Sequence, residues 1–206
     1  MVREVEADVR MGFPGTWRWR TVFLLPDRYA WTIYTTGEPD HYVTDGQSTR
    51  AFVGSQLVSE ESGRSALRTH ARFTAVQNLD VLLLPGVTVG ALPAGDLPAG
   101  TVAGLSVVFA DDGGRYRLGF DARDRLVYVA GELALPPFAE GQVEARITEF
   151  SRAGGFELPR RTTYRIGEQL LSEERTLAVC VDPAGLDASA FAVPARLPTC
   201  DVSPAS

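Results

Sequence analysis

Arg115-Tyr116-Arg117-Leu118-Gly119-Phe120 and, after a short break, Leu126-Val127-Tyr128-Val129-Ala130 carry the reading of the fold. Tyr116, Leu118 and Phe120 fall on one side of an extended chain and Arg115 and Arg117 on the other. Leu126, Tyr128 and Ala130 then alternate against Val127 and Val129, again with the period of a strand. Gln142–Ser151, Arg161–Ile166 and Gln169–Val181 follow, set apart by Gly113-Gly114, Pro136-Pro137, Gly141, Gly154-Gly155 and Gly167-Glu168. Breaks this close predict antiparallel hairpins, because parallel strands need long crossovers.

Working back toward the N-terminus, Ala7, Val9 and Met11 alternate as a first strand that closes at Phe13-Pro14-Gly15. Trp17, Trp19, Thr21, Phe23 and Leu25 share one face of the next, with Arg18 and Arg20 opposite. After Pro26-Asp27, Tyr29, Trp31 and Ile33 line a third strand, so all three tryptophans of the chain lie in one aromatic stripe. Such a stripe serves cross-strand packing or a ligand wall, and the residues alone leave both open. His41–Thr44 and Ser48–Val53 form a hairpin around Asp45-Gly46, and Gln56–Ser59 adds a short strand.

From Ser62 to Leu84 the period changes. Leu67, Ala71, Ala75, Leu79 and Leu82 mark an amphipathic helix, or two joined near Asn78-Leu79-Asp80, whose apolar face must lie on the sheet. His70 beside that stripe reads as a boundary residue, not a catalyst. Residues 85–104 repeat Leu92-Pro-Ala-Gly as Leu97-Pro-Ala-Gly, a proline-stiffened loop that is either a mobile cover over a cavity or a connector. From Ala103 the strands resume with Leu105, Val107 and Phe109. Asp111 and Asp112 at the next tip lack further oxygen ligands at calcium-loop spacing, so they read as turn residues.

Composition narrows the function classes. The 206 residues suit a single domain, read as residues 1–195 followed by a C-terminal tail, 196–206. A net charge of −6 argues against a nucleic-acid partner, although a local basic patch stays open. All 20 basic residues counted as Lys+Arg are arginine. This removes Walker, Schiff-base and Ser-Lys chemistry, and arginine-rich codon usage accounts for it. No apolar run reaches the roughly 18 residues of a transmembrane helix, and the N-terminus is unlike a signal peptide. The protein is therefore expected to be cytoplasmic, or the chain to start after a removed export segment.

Two thiols and two distant histidines, His41 and His70, do not make a zinc site, and no metal or cofactor is expected. Cys180 and Cys200 are either a disulfide, worth about 3 kcal/mol by loop entropy, or two reduced thiols.

Four passages resemble a known family. Phe23-Leu-Leu-Pro-Asp-Arg-Tyr-Ala-Trp31 followed by Asp45-Gly46 is similar to the opening of the LolA/LolB-like lipoprotein-carrier superfamily. Phe120-Asp-Ala-Arg-Asp-Arg-Leu-Val-Tyr-Val129 resembles its central hairpin. Thr148-Glu-Phe-Ser-Arg-Ala-Gly-Gly-Phe-Glu-Leu-Pro-Arg-Arg161 resembles a strand pair of the related outer-membrane lipoprotein-sorting proteins, and Leu186-Asp187 through Phe191 and Pro194 their closing segment. Glu149 stands for the family's usual aspartate and Ser151 for a frequent aromatic. The helix that precedes the first strand in the family is missing, which implies a truncated or mature segment.

The resemblance implies a mainly β fold with an α insertion: a curved antiparallel sheet forming an unclosed half-barrel, covered by one or two helices (about 62–84) and the Pro/Gly-rich loop (85–104). Its cavity would take acyl chains and be lined by Trp17, Trp19, Phe23, Tyr29, Trp31, Ile33, Leu67, Leu79, Tyr116, Leu118 and Phe120. Arg28 and Arg72 are candidates for a head-group phosphate, with surface salt bridging as the commoner fate. The implied function is non-enzymatic binding or carriage of lipid or lipoprotein acyl chains in the bacterial cell envelope, and a periplasmic setting. The alternative is a structural or sensor domain of the same fold that binds a protein partner. Gly-x-Ser-x-Gly, His-Glu-x-x-His, Cys-x-x-Cys and a glycine-rich phosphate loop are all absent, which argues against an enzyme.

Overall fold

In a computed structural model the chain forms β1 (Val2–Val9), β2 (Gly15–Leu24), β3 (Arg28–Tyr34), β4 (Asp40–Thr44), β5 (Ser48–Val53) and β6 (Gln56–Ser62), then helix α1 (Ala66–Ala75). β7 (Val87–Ala91), β8 (Ala103–Phe109), β9 (Arg115–Phe120), β10 (Leu126–Leu135), β11 (Ala139–Ala153), β12 (Phe156–Ile166) and β13 (Gln169–Cys180) follow. The structure describes residues 1–24, 27–45, 48–62, 66–111, 113–135 and 139–200. The expectations placed on Leu25-Pro26, Gly46, Asp112, Pro136-Pro137, the Leu67 side chain and the last six residues lie outside the described part.

All thirteen strands join one antiparallel sheet in the order β6-β5-β4-β3-β2-β1-β13-β12-β11-β10-β9-β8-β7, which does not close on itself. The chain's two ends meet at its centre, where β1 pairs with β13, and each wing runs outward as a meander. Register breaks at Glu4/Val5 and on both sides of Glu149 add local bends to the ordinary strand twist. The result is the unclosed half-barrel that the family resemblance implies. Asp121 shows why its hairpin motif works: its carboxylate accepts the backbone N–H groups of Arg123 and Arg125 and the Arg125 guanidinium. Those bonds hold its pKa near 2.

Side-chain alternation gives the sheet two cores. Phe23, Tyr29, Trp31 and Ile33 from one wing and Val107, Tyr116, Leu118 and Val129 from the other face the concave side. There α1 bridges the wings, touching β4 and β10. The convex side has its own core, in which Val2, Val22, Ala30 and Val43 meet Phe191, Leu197 and Cys200 from the C-terminal segment. Asp187 caps a 3-10 turn there by accepting the N–H groups of Ser189 and Ala190, which seats Phe191 against the sheet.

Three features differ from the sequence reading. The expected helix of residues 62–84 is split: β6 runs to Ser62, α1 ends at Ala75, and a 3-10 turn covers Leu79–Leu83. The predicted stripe faces the core at Ala71, Ala75 and Leu82, but Leu79 is 40% exposed, and the buried face also takes in Phe73 (2% exposed) and Val76. Phe73 wedges between Tyr116 and Tyr164, ring centroids 6.3 and 6.2 Å away, and so widens the buried face beyond the alanine stripe. Finally, the expected loop opens with edge strand β7, and its remainder lies on the convex side, not over the concave interior. Gly104 and Gly119 are paired and both face outward; their missing Cβ atoms leave room for Leu92 and Leu97 at one and Thr101 at the other. Arg146 clamps the loop by donating to the Ala99 carbonyl at 3.0 Å.

Candidate functional site

The concave side of β1, β2, β3 and β13 meets the underside of α1 around an open pocket of about 70 Å³. Period-two alternation on β2 and β3 brings Trp17, Trp19, Thr21, Trp31 and Ile33 into its wall. Trp31 is buried and stands edge-on to Trp19 at 6.0 Å, while Trp17 and Trp19 are only half-buried and form the open side. His70 and Phe73 close it from the helix; the imidazole lies 4.8 Å from the Trp31 ring.

The inner end of this pocket is polar, which sequence reasoning missed. Arg3 and Glu174 face each other at 3.5 Å with side chains only 8% and 12% exposed. Arg3 Nε donates to Thr176 Oγ1 at 2.8 Å, Thr176 donates to the Pro159 carbonyl, and the Tyr164 hydroxyl donates to Glu174 at 3.2 Å. Gln77 reaches Tyr164 from beyond the end of α1 at 3.5 Å. Burial raises the Glu174 pKa against the pull of Arg3, and burial raises that of Tyr164. His70 is driven down to about 4, mainly by burial and then by Arg3, so it is neutral at pH 7. Its Nδ1 lies 2.9 Å from the Tyr29 hydroxyl, whose own pKa burial pushes well up. A short strand with an arginine near the N-terminus and a Tyr-x-x-x-x-x-Leu-Leu-Ser-Glu-Glu pattern over residues 164–174 carries no local signal for this cluster.

Arg3 and Thr74 also line a hollow of about 10 Å³ on the far side of the polar layer. Beyond it, toward the Met1 end of β1, lies a cleft of about 560 Å³ that includes Phe23, Leu79, Leu126 and Phe150. A second wide cleft, about 620 Å³, opens between β3 and β8 and includes Phe23, Arg28, Tyr29 and Arg72. The polar layer therefore divides the concave interior into a tryptophan pocket and wider space at the other end.

The sequence-derived candidates fall into groups. Trp17, Trp19, Trp31 and Ile33 come together in the pocket, and Phe23, Tyr29 and Leu79 lie on the wide clefts. Tyr116 and Leu118 sit in the packed core, Tyr116 against Phe73 and Phe109, and Phe120 is partly buried at its margin. Arg28 pairs with Asp27 at 3.4 Å. Arg72 pairs with Asp111 and stacks over Phe109 at 4.5 Å. A phosphate at either arginine would have to compete with a carboxylate already there. Cys180 and Cys200 are joined as a disulfide. Among the described residues no cluster of three His, Cys, Asp or Glu side chains could hold a metal, and no helix is long and apolar enough to cross a membrane.

Compared with known proteins, the sequence matches no protein-family model and no curated protein. The fold is similar to the crystal structure of a LolA superfamily protein from Nitrosomonas europaea, with a TM-score of 0.59 over 92% of this chain and 87% of that one at 11% identity. A DUF1329 family protein from Desulfovibrio piger aligns over 92% of this chain and 88% of its own, with a TM-score of 0.47 and 15% identity. The first likeness shows a LolA-like fold.

Proposed function

We propose that this chain is a non-enzymatic binder or carrier of lipid or lipoprotein acyl chains in the bacterial cell envelope. The observation that supports it is the unfilled pocket under α1, walled by all three tryptophans and open on the side of Trp17 and Trp19. Each methylene buried there contributes about 0.8 kcal/mol. At about 70 Å³ the pocket admits part of one chain. The clefts of about 560 and 620 Å³ at the other end offer space for longer tails beside Phe23, Tyr29 and Leu79. The Cys180–Cys200 disulfide favours an oxidising compartment, and with it the periplasm over the cytoplasm. The interior histidine is a neutral imidazole engaged by Tyr29, which suits a wall and not a reaction centre.

Native mass spectrometry of gently purified protein tests this directly: bound lipid is expected, and brominated acyl chains should quench tryptophan fluorescence. Trp31→Ala should weaken the quenching. Protein that carries no lipid and shows no quenching with any chain would end the proposal.

A second reading, a domain that binds a protein partner, draws on edge strand β6. Its consecutive Leu57 and Val58 are 49% and 56% exposed on opposite faces, beside a row of backbone groups at the sheet edge.

A further inference from the structure

We propose that the tryptophan pocket takes a single-chain amphiphile ending in a carboxyl group, inserted carboxyl first and seated between Arg3 and Thr21. This deepens the acyl-binding reading and rests on it. Arg3 on β1 and Thr21 on β2 are direct cross-strand partners on the concave side, and both line the pocket. Thr21 is buried, yet its Oγ1 has no hydrogen-bond partner. A buried hydroxyl left without one is destabilising, so an incoming acceptor regains that free energy. Arg3 is tied by Nε to Thr176 but meets Glu174 only at 3.5 Å, the outer limit of a hydrogen bond. One strong acceptor placed here would satisfy Thr21 and improve on the existing partner of Arg3.

A carboxylate is the acceptor that can replace Glu174 as the partner of Arg3. The charged and titratable groups facing this end of the pocket are Arg3 from β1, Tyr29 from β3, His70 from α1, Tyr164 from β12 and Glu174 from β13. His70 and both tyrosines are neutral at pH 7, so Arg3 and Glu174 alone set the charge. When the ligand's carboxylate takes the place beside Arg3, Glu174 takes one proton from solvent, which its raised pKa favours. The site keeps one positive and one negative charge. The protonated Glu174 then has an O–H to donate. The apolar chain runs outward past Trp31 toward the half-buried Trp17 and Trp19, because the pocket is too small to hold more than the first few methylenes below the indoles.

Binding of decanoate and of 1-decanol, followed by tryptophan fluorescence and calorimetry at pH 7, tests the assignment. Decanoate should bind about tenfold or more tightly than the alcohol, as a charge-assisted hydrogen bond predicts. Thr21→Val should weaken decanoate and leave decanol unchanged. Glu174→Gln, which mimics the protonated acid, should tighten decanoate; the wild-type and Thr21→Val comparisons decide the matter even if that variant does not fold. Decanol binding as well as decanoate, or Thr21→Val weakening both alike, overturns the carboxylate site while leaving acyl binding intact. Failure of either chain to affect the tryptophans, in protein that also carries no lipid, overturns both readings.

Discussion

Arg3 and Glu174, 171 residues apart in the chain, meet across the central β1–β13 seam with their charged groups 3.5 Å apart and almost wholly out of water. Removing one partner strands the other. Glu174→Leu or Arg3→Met should each lower stability by about 3–5 kcal/mol, whereas the double change combining the two should be near neutral. Urea unfolding of the three variants checks this; single losses that merely add in the double would mean the pair is not coupled.

The low pKa of His70 makes stability pH-dependent with a definite sign. Its folded value of about 4 lies below the 6.5 of an ordinary imidazole, so the unfolded chain binds more protons between those values. Its contribution is complete above pH 6.5 and is lost as pH falls toward 4, by up to about 3 kcal/mol. Glu174, with its pKa raised, acts in the opposite direction, losing stability as pH rises through its folded value. The readout is therefore the difference between wild type and His70→Gln: the variant should lack the acid-side loss between pH 6.5 and 4, and identical profiles would contradict the assignment.

The Cys180–Cys200 disulfide ties the convex core to the last strand across a separation of 20 residues. Loop entropy predicts that reduction costs about 3 kcal/mol, or roughly 6–12 °C in melting temperature for a chain of this size. Thermal melts of the wild type and of the Cys180→Ser/Cys200→Ser double variant, with and without reductant, should show a reductant effect in the wild type alone.

Gly104 tests where the proline-rich loop belongs. A Cβ there would lie 2.9 Å from both Leu92 and Leu97 and 3.0 Å from the Leu118 carbonyl. Gly104→Val should cost about 1–3 kcal/mol through overpacking. Because these contacts are on the convex side, quenching of the tryptophans by brominated acyl chains should not change. A large change in that quenching would place the loop over the interior.

Much of the sheet was legible locally. The observed β2, β3, β5, β8 and β9 start and end within about two residues of the runs read from Trp17–Leu25, Tyr29–Ile33, Ser48–Val53, Ala103–Phe109 and Tyr116–Phe120. The half-barrel itself came through the family resemblance. The helix face was only partly legible: Ala71 and Ala75 do face the core, but α1 ends at Ala75 and leaves Leu79 exposed, and the Tyr116–Tyr164 gap that takes Phe73 exists only in the folded sheet. β7 was hidden in a loop reading because its Val87–Ala91 carries a glycine and borders the proline repeat.

Alternation of side chains every second residue is a local property of an extended backbone, so the order of strands and breaks and the shared face of the three tryptophans could be read before any fold was known. That same alternation names two faces without saying which one encloses space. Only when thirteen strands bend together do the loop from Leu92 and the segment ending at Cys200 settle outside, and Arg3, Thr21 and Glu174 settle within. Those placements depend on contacts between residues far apart in the chain, which no short window of sequence contains.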